Sequence, residues 1–213
     1  MENINYKMMT KTEFENYDIT HFTNNQLKLF ISNYTYKHPE IKELDLSRWD
    51  TSNITSFFHL FHNRRELKIL NVSNWNTSRV VNFTHLFCNC SNLIKIIGLE
   101  TWNTSKVEDM TSCFQHCNMI TSLTLPWNMS RVKYLNYMFF GCYHLKQIYC
   151  FSQWELLIDS ETDFIFADCF SLKHLNSSFV QQLKTVRNNN NHSTIKELLI
   201  MLIISIFLYY MLT

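Results

Sequence analysis

Glycine and proline are nearly absent: the 213 residues hold only Gly98, Gly141, Pro39 and Pro126. A loop that cradles phosphate needs several glycines at fixed spacing so that backbone N–H groups can approach the anion, and two isolated glycines exclude a P-loop or a dinucleotide fingerprint. No G-x-S-x-G or H-E-x-x-H occurs, and carboxylates such as Asp45, Asp109 and Asp168 fall at unrelated positions. These absences lead to the expectation of a non-enzymatic chain with no cofactor, no bound metal and no small-molecule substrate. A charge bias is lacking too: 19 Lys and Arg against 18 Asp and Glu leave a net charge of +1, without the basic excess of a nucleic-acid binder. The first thirty residues carry Glu2, Glu13, Glu15 and Asp18 and no continuous apolar run, so no N-terminal secretory signal is expected. Seven cysteines in such a chain read as reduced thiols rather than a disulfide framework. The many Asn-x-Ser/Thr sequons follow from 23 asparagines and a recurring N-T-S tripeptide, and need no glycosylation to explain them.

What is present is a repeat. Tryptophan recurs at Trp49, Trp75, Trp102, Trp127 and Trp154, at spacings of 26, 27, 25 and 27 residues, the period of a stacked-repeat architecture. Counting from each Trp, position +12 is always Phe: Phe61, Phe87, Phe114, Phe139 and Phe166. Position +15 is Cys in four units, at Cys90, Cys117, Cys142 and Cys169. Apolar residues also fill +5, +8 and +11, and the set +8, +11, +12, +15 matches i, i+3, i+4, i+7, which predicts a short helix with one apolar stripe. Three residues further on, an L-x-x-L-x-L pattern (Ile41/Leu44/Leu46, Leu67/Leu70/Val72, Ile120/Leu123/Leu125, Leu145/Ile148/Cys150) predicts a strand with one buried face. One copy carries an extra residue at Gly98 before Leu99. Between strand and helix, the turns WDTSN, WNTSR, WNTSK and WNMSR offer Asn, Asp, Thr and Ser side chains that satisfy backbone groups at a bend, cap the following helix and form a polar ladder between units.

The best matches to a known pattern are LDLSRWDTSNI (44–54), LNVSNWNTSRV (70–80) and LFCNCSNL (86–93). Together they resemble the BspA-like leucine-rich repeats of bacterial surface proteins, some protists and large DNA viruses such as insect poxviruses, and the likeness covers residues 41–175. The resemblance implies an α/β, leucine-rich-repeat-type solenoid of about five coils of 25–27 residues, each a strand, a turn and a short helix. It also implies adhesion or interaction with a protein partner, and transfers no catalytic residue.

Three sets of residues are candidate sites. Cys88, Cys90, Cys113 and Cys117 with His85 and His116 are zinc-ligand types. However, no C-x-x-C occurs, and Cys90 and Cys117 lie on the apolar stripe, so buried hydrophobes are the main reading, with an oxidised thiol ladder between coils as an alternative. His59 and His85 share position +10 without a carboxylate column beside them and read as surface or half-buried histidines rather than ligands. Arg79, Lys106 and Arg131 share position +4, so stacking would set like charges side by side; the column either faces solvent or meets an acidic partner, and is the candidate binding column.

The ends differ from the repeats. Residues 1–40 read as an N-terminal cap over the first coil, and 176–197 as a polar linker or terminal cap. The segment LLIMLIISIFLYYML (198–212) is fifteen residues, about 22 Å as a helix against a hydrocarbon core of roughly 30 Å. With Tyr209 and Tyr210 at one end and Lys184, Arg187 and Lys196 before it, the segment reads as a C-terminal membrane anchor holding the repeats on the cytosolic side. The expected function is a membrane-tethered, non-catalytic protein-interaction module. The alternative is a soluble structural or decoy repeat with no specific partner, its apolar C-terminal segment serving as a cap.

Overall fold

A computed structural model describes residues 5–173 and 177–189. The chain is mixed α/β, with small parallel sheets and few helices. Helices α1 (Lys11–Glu15) and α2 (Asn24–Lys37) lead, each opened by a capping box, Thr10 with Glu13 and Thr23 with Gln26, in which side chain and backbone satisfy each other's orphan groups. Strands β1 (Glu43–Asp45), β2 (Ile69–Asn71) and β3 (Lys95–Ile97) pair in parallel register, as do β4 (Ser122–Thr124) and β5 (Gln147–Tyr149). Helix α3 (Ser177–Asn189) ends the described chain. The strand centres Leu44, Leu70, Leu123 and Ile148 point inward between exposed or half-buried neighbours, the period-2 burial expected of a strand covering a core on one face.

The sheet is interrupted where the repeat length changes. Gly98 takes φ 104° and opens a 3-10 turn over Leu99–Thr101, and a Cβ there would lie 2.1 Å from the Ser73 Cα. Only glycine fits that close approach. Cys150 occupies the equivalent position four residues before its Trp, with φ 64°, and opens a second 3-10 turn over Phe151–Gln153. This corrects the reading of Cys150 as a strand residue: with a 27-residue spacing the extra residue is extruded at this point, and Phe151 takes the buried place.

The predicted short helix is also corrected. No α-helix occurs between residues 41 and 173; the stretches from +8 to +15 are successive tight turns. Amides at +11, +13 and +15 bond back three residues, as in Leu60 to Phe57, His62 to His59 and Arg64 to Phe61. Amides at +8, +10, +12 and +14 leave the unit and donate to carbonyls of the next: Phe57 to Asn82, His59 to Thr84, Phe61 to Leu86 and Asn63 to Cys88, at 2.9 to 3.0 Å. The same four bonds join the second unit to the third, the third to the fourth and the fourth to the fifth. The geometry requires a left-handed residue at +10 and +14, found at His59 and Asn63, His85 and Asn89, Ser112 and His116, Tyr137 and Gly141, Phe164 and Asp168. An α-helix would spend those amides inside the unit; the turn ladder spends them on the neighbour while keeping the +8, +11, +12 and +15 side chains inward.

The core is a set of aromatic and apolar files. Indole rings of Trp49, Trp75, Trp102 and Trp127 stack at centroid distances of 6.1 to 6.4 Å and within 7° of parallel. Phe61, Phe87, Phe114, Phe139 and Phe166 stack at 5.3 to 5.7 Å. Each buried indole N–H donates to a backbone carbonyl of the preceding unit: Trp75 to Leu46, Trp102 to Val72, Trp127 to Leu99 and Trp154 to Leu125. Trp49, the first of the file, has no such partner among the described residues and packs instead on Phe14 and Phe30 of the N-terminal helices.

The W-[DN]-T-S corner does not cap a helix, since none follows. Its Asp or Asn side chain accepts from the Ser amide two residues on, at Asp50, Asn76, Asn103 and Asn128. Its buried Thr donates to the corner carbonyl of the next unit: Thr51 to Asn76, Thr77 to Asn103 and Thr104 to Asn128, at 3.0 to 3.1 Å.

Both ends carry helices. Along α2, Asn24 bonds Thr55 and Ser56, Lys28 lies 5.1 Å from the Phe58 ring centre, and Ser32 and Thr35 receive the guanidinium of Arg64. Arg64 stands at +15, where later units have Cys, so the first unit trades a core thiol for a clamp on α2. At the other end Phe179 of α3 packs on Phe151, Trp154 and Phe166, while Gln182 bonds both Leu156 and Trp154. The segment 198–212 lies outside the described residues.

Trp102→Ala removes an indole stacked on both sides together with its inter-unit hydrogen bond. We expect a loss of about 3–5 kcal/mol in the free energy of unfolding, read as a lowered urea midpoint; a loss under about 1 kcal/mol would show that the tryptophan file does not hold the units together.

Candidate functional site

The thiols of the +15 column are structural. Cys90, Cys117, Cys142 and Cys169 are buried, and each sulfur lies 3.0 to 3.1 Å from the Phe carbonyl at +12 of the preceding unit. Desolvation raises their pKa values, to about 12 for Cys90 and Cys169 and well above the usual thiol range for Cys117 and Cys142. They are held as neutral donors, not as thiolate ligands or nucleophiles. Cys88, at +13, faces Gln115, and all seven cysteines are free, so the oxidised ladder is not formed. Among the described residues no group of three His, Cys, Asp or Glu side chains is arranged to hold a metal ion.

The histidines do come together, in a way the repeat spacing only half disclosed. His59 and His85 stack at 4.5 Å and 6° from parallel, and His62, three residues past His59, meets His59 edge-on at 4.6 Å and His85 at 6.1 Å. Stacked rings point their nitrogens along the ring planes, not at a shared point, so the pair does not converge on an ion. Desolvation lowers the pKa of all three, followed for His59 by the neighbouring His85 and His62, and His59 falls to about 4. Lys28, Arg64 and Arg65 add repulsion, and Asp109 opposes it at His85.

The basic residues Arg79, Lys106 and Arg131 occupy the same place on consecutive units, next to the Thr ladder of the corner, and all three are exposed. Arg79 reaches Asn53 of the preceding unit at 3.4 Å. Among the described residues no carboxylate lies within ion-pair distance of any of the three; the nearby cross-unit pair Lys133–Glu108 sits two positions further along. The file is bordered by the exposed corner amides Asn76, Asn103 and Asn128. Three like charges held one unit apart repel one another, and only solvent or a partner offsets that cost.

The chain matches one family, described as "Mycoplasma protein of unknown function, DUF285", over residues 2–98, 28–154 and 89–197. The chain belongs to this family. The three matched ranges overlap, so the DUF285 pattern fits this chain in more than one register. No curated protein and no solved structure matches. Among the described residues, no helix of this DUF285 chain is long and apolar enough to cross a membrane.

The lowered histidine pKa values carry a signed expectation. The fold binds the neutral rings and the unfolded chain takes up protons first, so the contribution of the cluster is complete above about pH 6.5 and is lost as pH falls toward about 4. Carboxylates held low by hydrogen bonds, such as Asp50, also lose stability in acid, so the test is a difference. The variant H59N/H85N, with residues that tolerate positive φ, should show a shallower fall in melting temperature than the parent between pH 7 and 4.5. Parallel curves would remove the cluster as a cause.

Proposed function

We propose that this DUF285 chain is a BspA-like, leucine-rich-repeat-type α/β solenoid that works as a non-catalytic protein-interaction module. The observation that carries the reading is the exposed file Arg79, Lys106 and Arg131, unneutralised among the described residues and set on consecutive units joined by the backbone ladder and the Thr corner. Rigid display of like charges at the unit repeat favours an acidic protein surface and steers its approach. The resemblance of LDLSRWDTSNI and LNVSNWNTSRV to the BspA-like repeats supports the same reading.

In this proposal the segment 198–212 tethers the module to a membrane with the repeats on the cytosolic side. Two things support it. The sequence LLIMLIISIFLYYML has Ser205 as its one non-aromatic polar residue, and α3 already covers Phe151, Trp154 and Phe166, so the tryptophan side of the last unit has its cap.

Two experiments test the two halves. The triple reversal R79E/K106E/R131E should leave the melting temperature nearly unchanged, because the three side chains are exposed and one set of like charges replaces another, while pull-down of the parent's partners from lysate falls at least tenfold. Unchanged recovery of the same partners would remove the file as a binding surface. For the tether, the full chain should resist carbonate extraction from membranes while a version ending at His192 is released. Release of both would end the membrane reading and leave the interaction reading standing.

A further inference from the structure

The inter-unit ladder is directional. Each of the first four units gives four amides forward, from +8, +10, +12 and +14, to carbonyls of the unit after it. In the fifth unit the equivalent amides of Phe164, Phe166 and Asp168 have no acceptor among the described residues, although Phe164 and Asp168 hold the same left-handed backbone, with φ 55° and 60°, as their paired counterparts. At these three positions the backbone is therefore set for a ladder that has nothing opposite it among the described residues.

The two ends of the array are not equivalent. At the first unit, α2 runs along the ladder side, touching it through Asn24 at Thr55, Lys28 at Phe58 and Ser32 and Thr35 at Arg64. At the fifth unit, α3 meets the tryptophan side through Phe151, Trp154 and Leu156, and its ring contact on the ladder among the described residues is to Phe166. The outer ladder side keeps two unfinished ring stacks. Tyr137 stacks on Phe164 at 5.1 Å and Tyr143 on Phe170 at 5.8 Å, and Phe170, with no ring beyond it among the described residues, is 67% exposed.

Charge changes sign here as well. The fifth unit carries Glu155, Asp159, Glu161, Asp163 and Asp168, with no Lys or Arg between Lys146 and Lys173. Among the described residues none of the five is in an ion pair; the Glu161 carboxylate accepts from the Asn136 side-chain amide.

We infer that this edge is a docking site for an extended, lysine- or arginine-bearing segment of another polypeptide. It would add as a further parallel rung, giving carbonyls at every second residue to the amides of Phe164, Phe166 and Asp168, while its bulky side chains continue the Phe164 and Phe170 stacks and its cations meet the five carboxylates. The four junctions inside the chain show the geometry that such an occupant adopts, and strand addition to an open edge is a general mode of peptide capture. A second copy does not fit. Two of these edges facing each other would set donors against donors, and a head-to-tail copy would have to displace α2 from its own first unit. The inference deepens the interaction reading by naming a second surface, and rests on it only in requiring a polypeptide partner.

The test uses the full chain in mild detergent and a labelled synthetic peptide copying residues 131–141, RVKYLNYMFFG, which supplies the carbonyls to the third unit within the chain and begins with two cations. Fluorescence anisotropy should show binding at least tenfold tighter than to a scrambled peptide and weakened by salt. Either Phe170→Ser or Asp159→Lys, both at exposed positions, should weaken it at least fivefold without lowering the melting temperature. Amide exchange followed by NMR should show Phe164 and Asp168 exchanging at least tenfold faster than Ser112 and His116 in the free chain, and slowing on peptide addition. Equal binding of the scrambled peptide overturns the inference. So does full protection of Phe164 and Asp168 in the free chain, because the chain would then cover its own edge. Neither result touches the Arg79, Lys106 and Arg131 test, so the two readings fail separately.

Discussion

The structure depends on how each backbone amide between +8 and +15 is allotted. In the first four units alternate amides close tight turns within the unit and the others cross to the next, so the amides from +10 to +15 that would be buried between units have partners and each of these units is tied to the one after it by four bonds. Since buried N–H groups left unpaired cost about as much as a lost hydrogen bond, this allotment fixes the conformation more firmly than side-chain packing alone. It also sets a cost. At +10 and +14 nine non-glycine residues take positive φ, including bulky His59, Tyr137 and Phe164, each a strain of order 1 kcal/mol. The ladder bonds, the stacked rings and the indole-to-carbonyl bonds over-determine the conformation and hold it.

The repeat, the buried Trp, Phe and Cys files and the strand positions were legible because they follow from period and polarity alone. The turn ladder was not, for a physical reason: a helix and a run of tight turns place inward side chains at the same i, i+3, i+4, i+7 spacing, so the stripe of Phe57, Leu60 and Phe61 fits both. The discriminating signal was the +14 column, Asn63, Asn89, His116, Gly141 and Asp168, the residue types most at ease in the left-handed region. It was hidden by the +10 column, where His59, Tyr137 and Phe164 give no such hint.

The candidate sites divide along the same line. The Arg79, Lys106 and Arg131 file follows from equal offset in stacked units and needed only the repeat. The third histidine did not, because His62 lies at +13, a column otherwise filled by Cys88, Gln115, Phe140 and Ala167, and its contact with His59 and His85 depends on the turn geometry. The edge was equally invisible: the amides of Phe164 and Asp168 sit at the same repeat positions as their paired equivalents and differ in having no acceptor opposite them among the described residues.

Two of the bonds between units point in opposite senses. From Trp75 onward the indole of each unit reaches back to a carbonyl already in place, whereas the ladder amides of the first four units reach forward to a unit not yet made when the chain emerges from a ribosome. Growth from the N-terminus therefore has a built-in order. Helix α2, complete before the first Trp, gives Trp49 a surface on which to settle. Each new unit then anchors its indole on the one before and, in the same step, satisfies the amides that unit had left waiting. At every stage of synthesis the unmet groups are confined to a single leading turn, so the nascent chain exposes a small, constant edge instead of one that grows with its length.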